Sequence, residues 1–182
     1  DGELVQICEF KDEGYSHGEQ LTMLIQQVLE LQGIGVESLS AVSVSAGPGS
    51  YTGLRIGVST AKGLCYALNI PLISVDTLES MAEVASVAYP DSNLCPMIDA
   101  RRMEVFSLIT NFEEDILKPV SADVLDENSY MEFEPFVCFG DGAKKMEELW
   151  SERHILFDLE LDPSAKGQIH AAYQKILKQE FE

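Results

Sequence analysis

Apolar positions along this chain follow two rhythms, and the switches between them mark the elements. Between Tyr15 and Leu31, Leu21, Leu24, Ile25, Val28 and Leu29 recur at the i, i+3, i+4, i+7, i+8 spacing of one helix face. Ser16 and Glu19 supply the S-x-x-E capping box that opens this helix. The run AVSVSAG, Ala41 to Gly47, reads as a buried strand ended by glycine, and the proline-free run from Gly53 to Leu68 as a second helix. Leu72 to Val75 predicts another strand. Asp76 then suits a helix N-cap, with Glu79 at the third helical position and Leu78, Met81, Ala82 and Ala85 on one face.

This β-α-β-α alternation with short connections predicts an α/β domain whose strands are at least partly parallel. The turn-rich AYPDSN, Ala88 to Asn93, marks a lobe boundary, giving an N-terminal lobe over 1–90 and a C-terminal lobe over 91–182. Beyond it, LCPMIDA and MEVFSLI read as strands joined around Arg101 and Arg102, FVCFG (Phe136 to Gly140) as a further strand, and HILFDL as another. Asp141 to Trp150 predicts an amphipathic helix. Pro163, at a first helical position, opens a last helix with Ile169, Ala172, Tyr173, Ile176 and Leu177 inward. No internal repeat or low-complexity tract interrupts the pattern.

Composition narrows the function classes. At 182 residues the chain holds one domain or two small ones and buries a core without metal or disulfide staples. Its hydrophobic residues, 46% of the total, come in short blocks with no membrane-spanning run, and no basic-then-apolar leader precedes Asp1, so a cytoplasmic protein is expected. Cys8, Cys65, Cys95 and Cys138 lack any CxxC spacing and read as reduced, buried thiols. The formal net charge of −19 repels a phosphate backbone, so unaided nucleic-acid binding is disfavoured. General solubility explains that charge as well as a basic partner that supplies the nucleic-acid contact.

The informative stretch is GPGSYTGLRIGVSTAKGL, Gly47 to Leu64, which follows a strand and opens a helix. Unpaired backbone N–H groups there, with the helix dipole, suit an anion. The stretch is neither GxxxxGK[ST] nor GxGxxG, however, and Gly47, Gly49 and Gly53 equally serve a tight turn and close packing. Within the helix, Gly53, Gly57 and Ala61 at four-residue steps leave one face nearly bare, flanked by Leu54, Val58, Leu64 and Cys65. Such a face packs against helices of the same chain or of a partner. With the strip Leu21, Leu24, Ile25 and Val28 of the first helix, it makes a candidate interface; ordinary core packing against the sheet is the alternative for the same residues.

AGPGSYTGLRIGVSTAKGL followed by IPLISVDTLESM resembles the signature of the TsaB/YeaZ family. The likeness extends upstream through GYSHGEQL and downstream through Ile98 to Phe106 (IDARRMEVF) and Phe139 to Ala143 (FGDGA); residues 111–135 and 151–162 match weakly. The resemblance implies an actin-like, sugar-kinase-like ATPase (ASKHA) fold of two RNase H-like lobes. It also implies a role as dimerisation partner of the catalytic subunit TsaD, which with the ATPase TsaE makes threonylcarbamoyladenosine beside the tRNA anticodon. Self-association through the first two helices is implied for the isolated subunit, with tRNA reached only through the complex. No intrinsic cofactor is expected, and ATP or ADP at the partner interface is left open.

The resemblance also points to missing chemistry. The catalytic paralogue carries two metal-binding histidines four residues apart after the strand equivalent to Leu72 to Val75, whereas this chain has Thr77 and Met81 in those places, neither of which replaces an imidazole ligand. His17, His154 and His170 share no ligand spacing. Asp99, beside Arg101 and Arg102, reads as a general base or as a turn anchor. Family members begin with a strand bearing an Asp-Thr pair, whereas this chain opens at DGELVQICEF, so one sheet is expected to lack a strand. Three readings follow: a non-catalytic interaction subunit, favoured; an ATP-dependent phosphotransferase of the same fold; and a metallopeptidase, opposed by Thr77 and Met81.

Overall fold

A computed structural model describes residues 2–10 and 17–182. In chain order its elements are α1 (His17–Gln32), β1 (Val42–Gly47), α2 (Tyr51–Leu68), β2 (Leu72–Asp76), α3 (Thr77–Ser86) and β3 (Asn93–Asp99). There follow β4 (Glu104–Thr110), β5 (Ile116–Val124), β6 (Phe136–Phe139), β7 (Ile155–Asp158) and α4 (Ile169–Lys178), with short 3₁₀ turns between some of them. The chain divides into two compact units, one running to Asp76 and resuming over Ser164–Glu182, the other Thr77–Pro163.

In the first unit β1 and β2 run parallel, Val42 opposite Leu72 and Ser45 opposite Val75. Ala61 and Cys65 of α2 pack with Leu72, Val42, Val44 and Ile70, so the helix's inner face is spent on the sheet. Asn69 ends α2 in the left-handed conformation, and the Asn69 and Ile70 N–H groups both donate to the Cys65 carbonyl, satisfying the helix's last turn. The return segment is tied to β2 by the Lys175 ammonium, which donates to the Ser74 carbonyl at 2.7 Å, and by the Glu182 N–H, which donates to the Leu72 carbonyl at 3.0 Å.

The second unit is a five-stranded mixed sheet in the order β5-β4-β3-β6-β7. β3, β6 and β7 are parallel, β4 pairs antiparallel with β3, and β5 pairs antiparallel with β4. α3 covers one face, burying Leu78, Met81, Ala82 and Ala85 against Leu94, Leu108, Val137 and Phe139. On the other face Met146 and Trp150 pack over Cys95, Met97, Val105, Ile109 and Cys138. Both faces of β3 and β6 are therefore buried, which is why their sequences read as near-continuous apolar runs.

Several expectations are corrected. The division falls at Asp76/Thr77 rather than near residue 90, because the apolar face of α3 is completed only by the second sheet, and α4 returns to the first unit. Asp141 to Trp150 is a 3₁₀ turn, Ala143–Lys145, followed by further turns. Ala143, Met146 and Trp150 are all buried, so the amphipathic pattern is present without an α-helix; Gly140, at φ +90°, turns the chain just before it. Pro163 precedes the last helix, where Ser164 caps a 3₁₀ turn over Ala165–Gln168 that leads into α4. Ser16 lies outside the described residues, and the predicted capping box with it. β5 was not anticipated: its half-buried positions are polar, Lys118, Ser121 and Asp123, while Val120 and Val124 are exposed.

Candidate interaction surface

α1 lies beside α2 in the first unit, and Gly18 stands next to Ile56. The apolar strip of α1, Leu21, Leu24, Ile25 and Val28, is only half-buried, and Met23 and Leu31 on the same helix are exposed. On α2, Leu54, Val58 and Leu64 are likewise half-buried. The small-residue stripe is used differently from the predicted helix-facing role. Ala61 is 5% exposed in the core, and a Cβ on Gly57 would lie 3.7 Å from Val44 Cγ2, so both face β1. Gly53 sits over its own cap, Ser50, whose hydroxyl accepts its N–H at 3.3 Å. Of the apolar positions in the predicted interface, Leu21, Leu24, Ile25 and Val28 of α1 and Leu54, Val58 and Leu64 of α2 are those left only partly covered.

The loop before α2 has a local explanation. Gly47 adopts φ +110°, and a Cβ there would stand 3.3 Å from Leu54 Cδ1; Leu54 also packs over Gly49. A sharp turn closed over Leu54 accounts for these glycines, and the Ser50 cap occupies one of the helix's free donors.

In the second unit, Met81 stands where the resemblance would put a metal-binding histidine. It is 1% exposed and packed among Leu78, Ala82 and Phe139. Thr77, the other position, is half-buried at the start of α3. Among the described residues no group of three or more His, Cys, Asp or Glu side chains is placed to hold a metal ion. His154 and His170 are exposed. Asp99 is exposed too, and accepts from the Lys145 ammonium at 2.6 Å and from the Arg101 N–H at 2.5 Å. Its own N–H donates to Asp141 Oδ1 at 2.8 Å. The bond from Lys145 and then the Arg101 N–H hold its carboxyl below the usual carboxylate range, which suits an anchor at the end of β3 and not a base. Arg101 and Arg102 both adopt positive φ in this turn.

The polar network behind β5 escaped the sequence reading. Asp123 accepts from Tyr130 OH at 2.7 Å and Ser107 Oγ at 3.0 Å, and pairs with Lys118 at 2.7 Å; Lys118 also donates to Ser121 Oγ at 2.6 Å. The polar residues Lys118, Ser121 and Asp123 within the otherwise apolar run ILKPVSADV were its only sequence signal. Ser107 is fully buried and every partner is satisfied, so the cluster holds β4, β5 and Tyr130 together.

A family model described as TsaD, tRNA N6-adenosine threonylcarbamoyltransferase, matches residues 13–181, which sets the class of α/β protein to which these two units belong. The Haemophilus influenzae tRNA threonylcarbamoyladenosine biosynthesis protein TsaB is 33% identical over 91 residues, 50% of this chain and 39% of that protein. The Bacillus subtilis protein of the same description is 34% identical over 108 residues, 59% of this chain and 46% of that one. The matched stretch thus spans less than half the length of either relative. YeaZ from Pseudomonas aeruginosa superimposes with a TM-score of 0.80 at 23% identity, covering 93% of this chain and 82% of that structure, a likeness of fold. The chain belongs to the TsaB/YeaZ family.

Proposed function

We propose that this protein is a non-catalytic partner subunit that binds the catalytic paralogue TsaD and supports threonylcarbamoyl transfer to the adenosine beside the tRNA anticodon. The observation that carries it is the surface of α1, where Leu21, Leu24, Ile25 and Val28 stay half-buried although α2 lies alongside. An amphipathic helix that lays an apolar strip of this kind against a partner is a recurring mode of protein recognition. The descriptions of the TsaB relatives support the pathway, and Met81, a core side chain at a position where a metal ligand would be needed, supports the non-catalytic role.

In this reading the two units are the lobes of an ASKHA-type fold, and TsaD is the principal partner. TsaE joins the pair, ATP or ADP sits at the partner interface, and tRNA is reached only through the complex, in keeping with the net charge of −19. The isolated subunit pairs with itself through the same helices. No helix among the described residues is long and apolar enough to cross a membrane, which fits work in the cytoplasm.

Light scattering on this protein alone and mixed with its cognate TsaD tests the reading. A one-to-one complex formed at the expense of any homodimer is expected; no complex at micromolar concentration sinks it. The alternative, an ATP-dependent phosphotransferase of the same fold, predicts ATP turnover by the lone chain.

A further inference from the structure

The outward face of α2 has a character the apolar strip does not share. Tyr51, Arg55, Ser59, Lys62 and Tyr66 follow one another at steps of four, four, three and four residues, so they form a single line along the helix. The line is about 22 Å long at the rise of an α-helix. All five are exposed, and Tyr66, at 92%, is the most exposed large hydrophobic residue among the described residues. The Arg55 guanidinium lies over the Tyr51 ring, 4.1 Å from its centroid, which holds its cation in place with its N–H edge free for a carboxylate.

This is not an ordinary solvated helix face. Such faces interleave Lys or Arg with Glu three or four residues away. α2 contains no Asp or Glu at all, although the chain has 31 acidic residues and an 18-residue stretch drawn from it would carry about three. Among the described residues no ion pair involves Arg55 or Lys62. Tyrosine and arginine, exposed together on a regular helix and kept clear of acid, are the residue types that anchor protein interfaces.

We infer that the Tyr51–Arg55–Lys62–Tyr66 line of α2 docks a partner protein whose facing helix surface carries carboxylates. The cations supply pairing and orientation, and the two phenols add contact area with hydroxyl donors at the ends of the line. A protein is favoured over nucleic acid because two cations in a chain of net charge −19 do not offset its repulsion of a phosphate backbone. The inference rests on the pairing through α1 and α2 proposed above, and adds the chemistry of the face it meets.

The test measures the dissociation constant for cognate TsaD with wild type, with Arg55→Glu/Lys62→Glu, and with Leu24→Glu, circular dichroism reporting the fold. Arg55→Gln/Lys62→Gln serves where reversal perturbs it. Charge reversal is expected to weaken the complex at least about tenfold. Wild-type affinity should fall between about 0.1 M and about 1 M NaCl, as the screening length drops from about 10 Å to about 3 Å. Unchanged affinity on reversal, with Leu24→Glu disruptive, overturns this inference and leaves the pairing standing. Loss of homodimer alone assigns the line to a second copy and overturns it as well. Binding of unmodified tRNA by the lone chain that reversal abolishes overturns it in favour of nucleic acid, and absence of any complex removes both proposals.

Discussion

The Lys145 ammonium donates to the Asp99 carboxylate at 2.6 Å although 46 residues separate them, tying the end of β3 to the turn after β6. The bond, with the Arg101 N–H, lowers the Asp99 carboxyl below its ordinary value of 3.8. A lowered folded value stabilises the native state above that ordinary value, and the contribution is lost as pH falls through the folded one. Because Asp99 is 42% exposed, solvent screening keeps the effect modest. The difference in urea midpoint between wild type and Asp99→Asn should be present at neutral pH and shrink as pH falls below the ordinary carboxylate value of 3.8. An equal difference at both ends would show that the turn is held by something other than this charge.

Asp123 presents a costlier dependence. Burial pushes its carboxyl up, but the bonds from Lys118, Tyr130, Ser121 and Ser107 together outweigh burial and lower it. Asp123→Asn leaves Lys118, itself only 13% exposed in its side chain, without its counter-ion. Loss of roughly 1–3 kcal/mol is expected in denaturant unfolding. A neutral result would mean that Lys118 finds water in place of its carboxylate.

Gly140 adopts φ +90°, and a Cβ there would run into the Met97 carbonyl oxygen and stand 2.7 Å from Met81 Cε. Gly140→Ala combines backbone strain with a collision against main chain, at a cost of about 3 kcal/mol or more. Thermal unfolding reads it; a shift within a degree of wild type would show that β6 and its turn can move aside.

Restoring the histidine pair should not restore a metal site cheaply. Met81→His places an imidazole among Leu78, Ala82 and Phe139, at a position 1% exposed, with apolar neighbours in place of partners for its nitrogens. Destabilisation of about 2–4 kcal/mol is expected from lost packing and an unsatisfied polar group. Thr77→His/Met81→His that matches wild-type stability and binds stoichiometric zinc by calorimetry would overturn that account.

At the α1 surface, Leu24→Glu should leave circular dichroism unchanged, because Leu24 is half-buried, and should break pairing in light scattering. Ala61→Glu should behave in the opposite way and unfold the first unit, because Ala61 packs against β1 and β2. If both variants unfold, the α1 strip belongs to the core.

Much of this was legible in the chain itself. Helical period over Leu21 to Leu29, strand runs such as AVSVSAG and the glycine turn at Gly47 depend on neighbours a few residues away, so α1, α2 and six of the seven strands could be read from local pattern, although the Ser50 cap, which starts α2 at Tyr51, was not. The family signature lies in the same stretches. β5 was lost because its half-buried side is polar, inverting the usual alternation, and its inward charges make sense only once Ser107 and Tyr130 arrive from elsewhere in the sequence.

Sequence alone determined the local elements, the class of fold, and the absence of imidazoles at Thr77 and Met81, because period, capping and residue identity are encoded within a turn or two of chain. Tertiary structure decided which faces are spent. It put Gly57 and Ala61 against β1, gave α3 to the second sheet, paired Asp99 with Lys145, and left Tyr51, Arg55, Lys62 and Tyr66 facing solvent. Burial and ion pairing depend on segments tens of residues apart, and no local pattern specifies which of them meet.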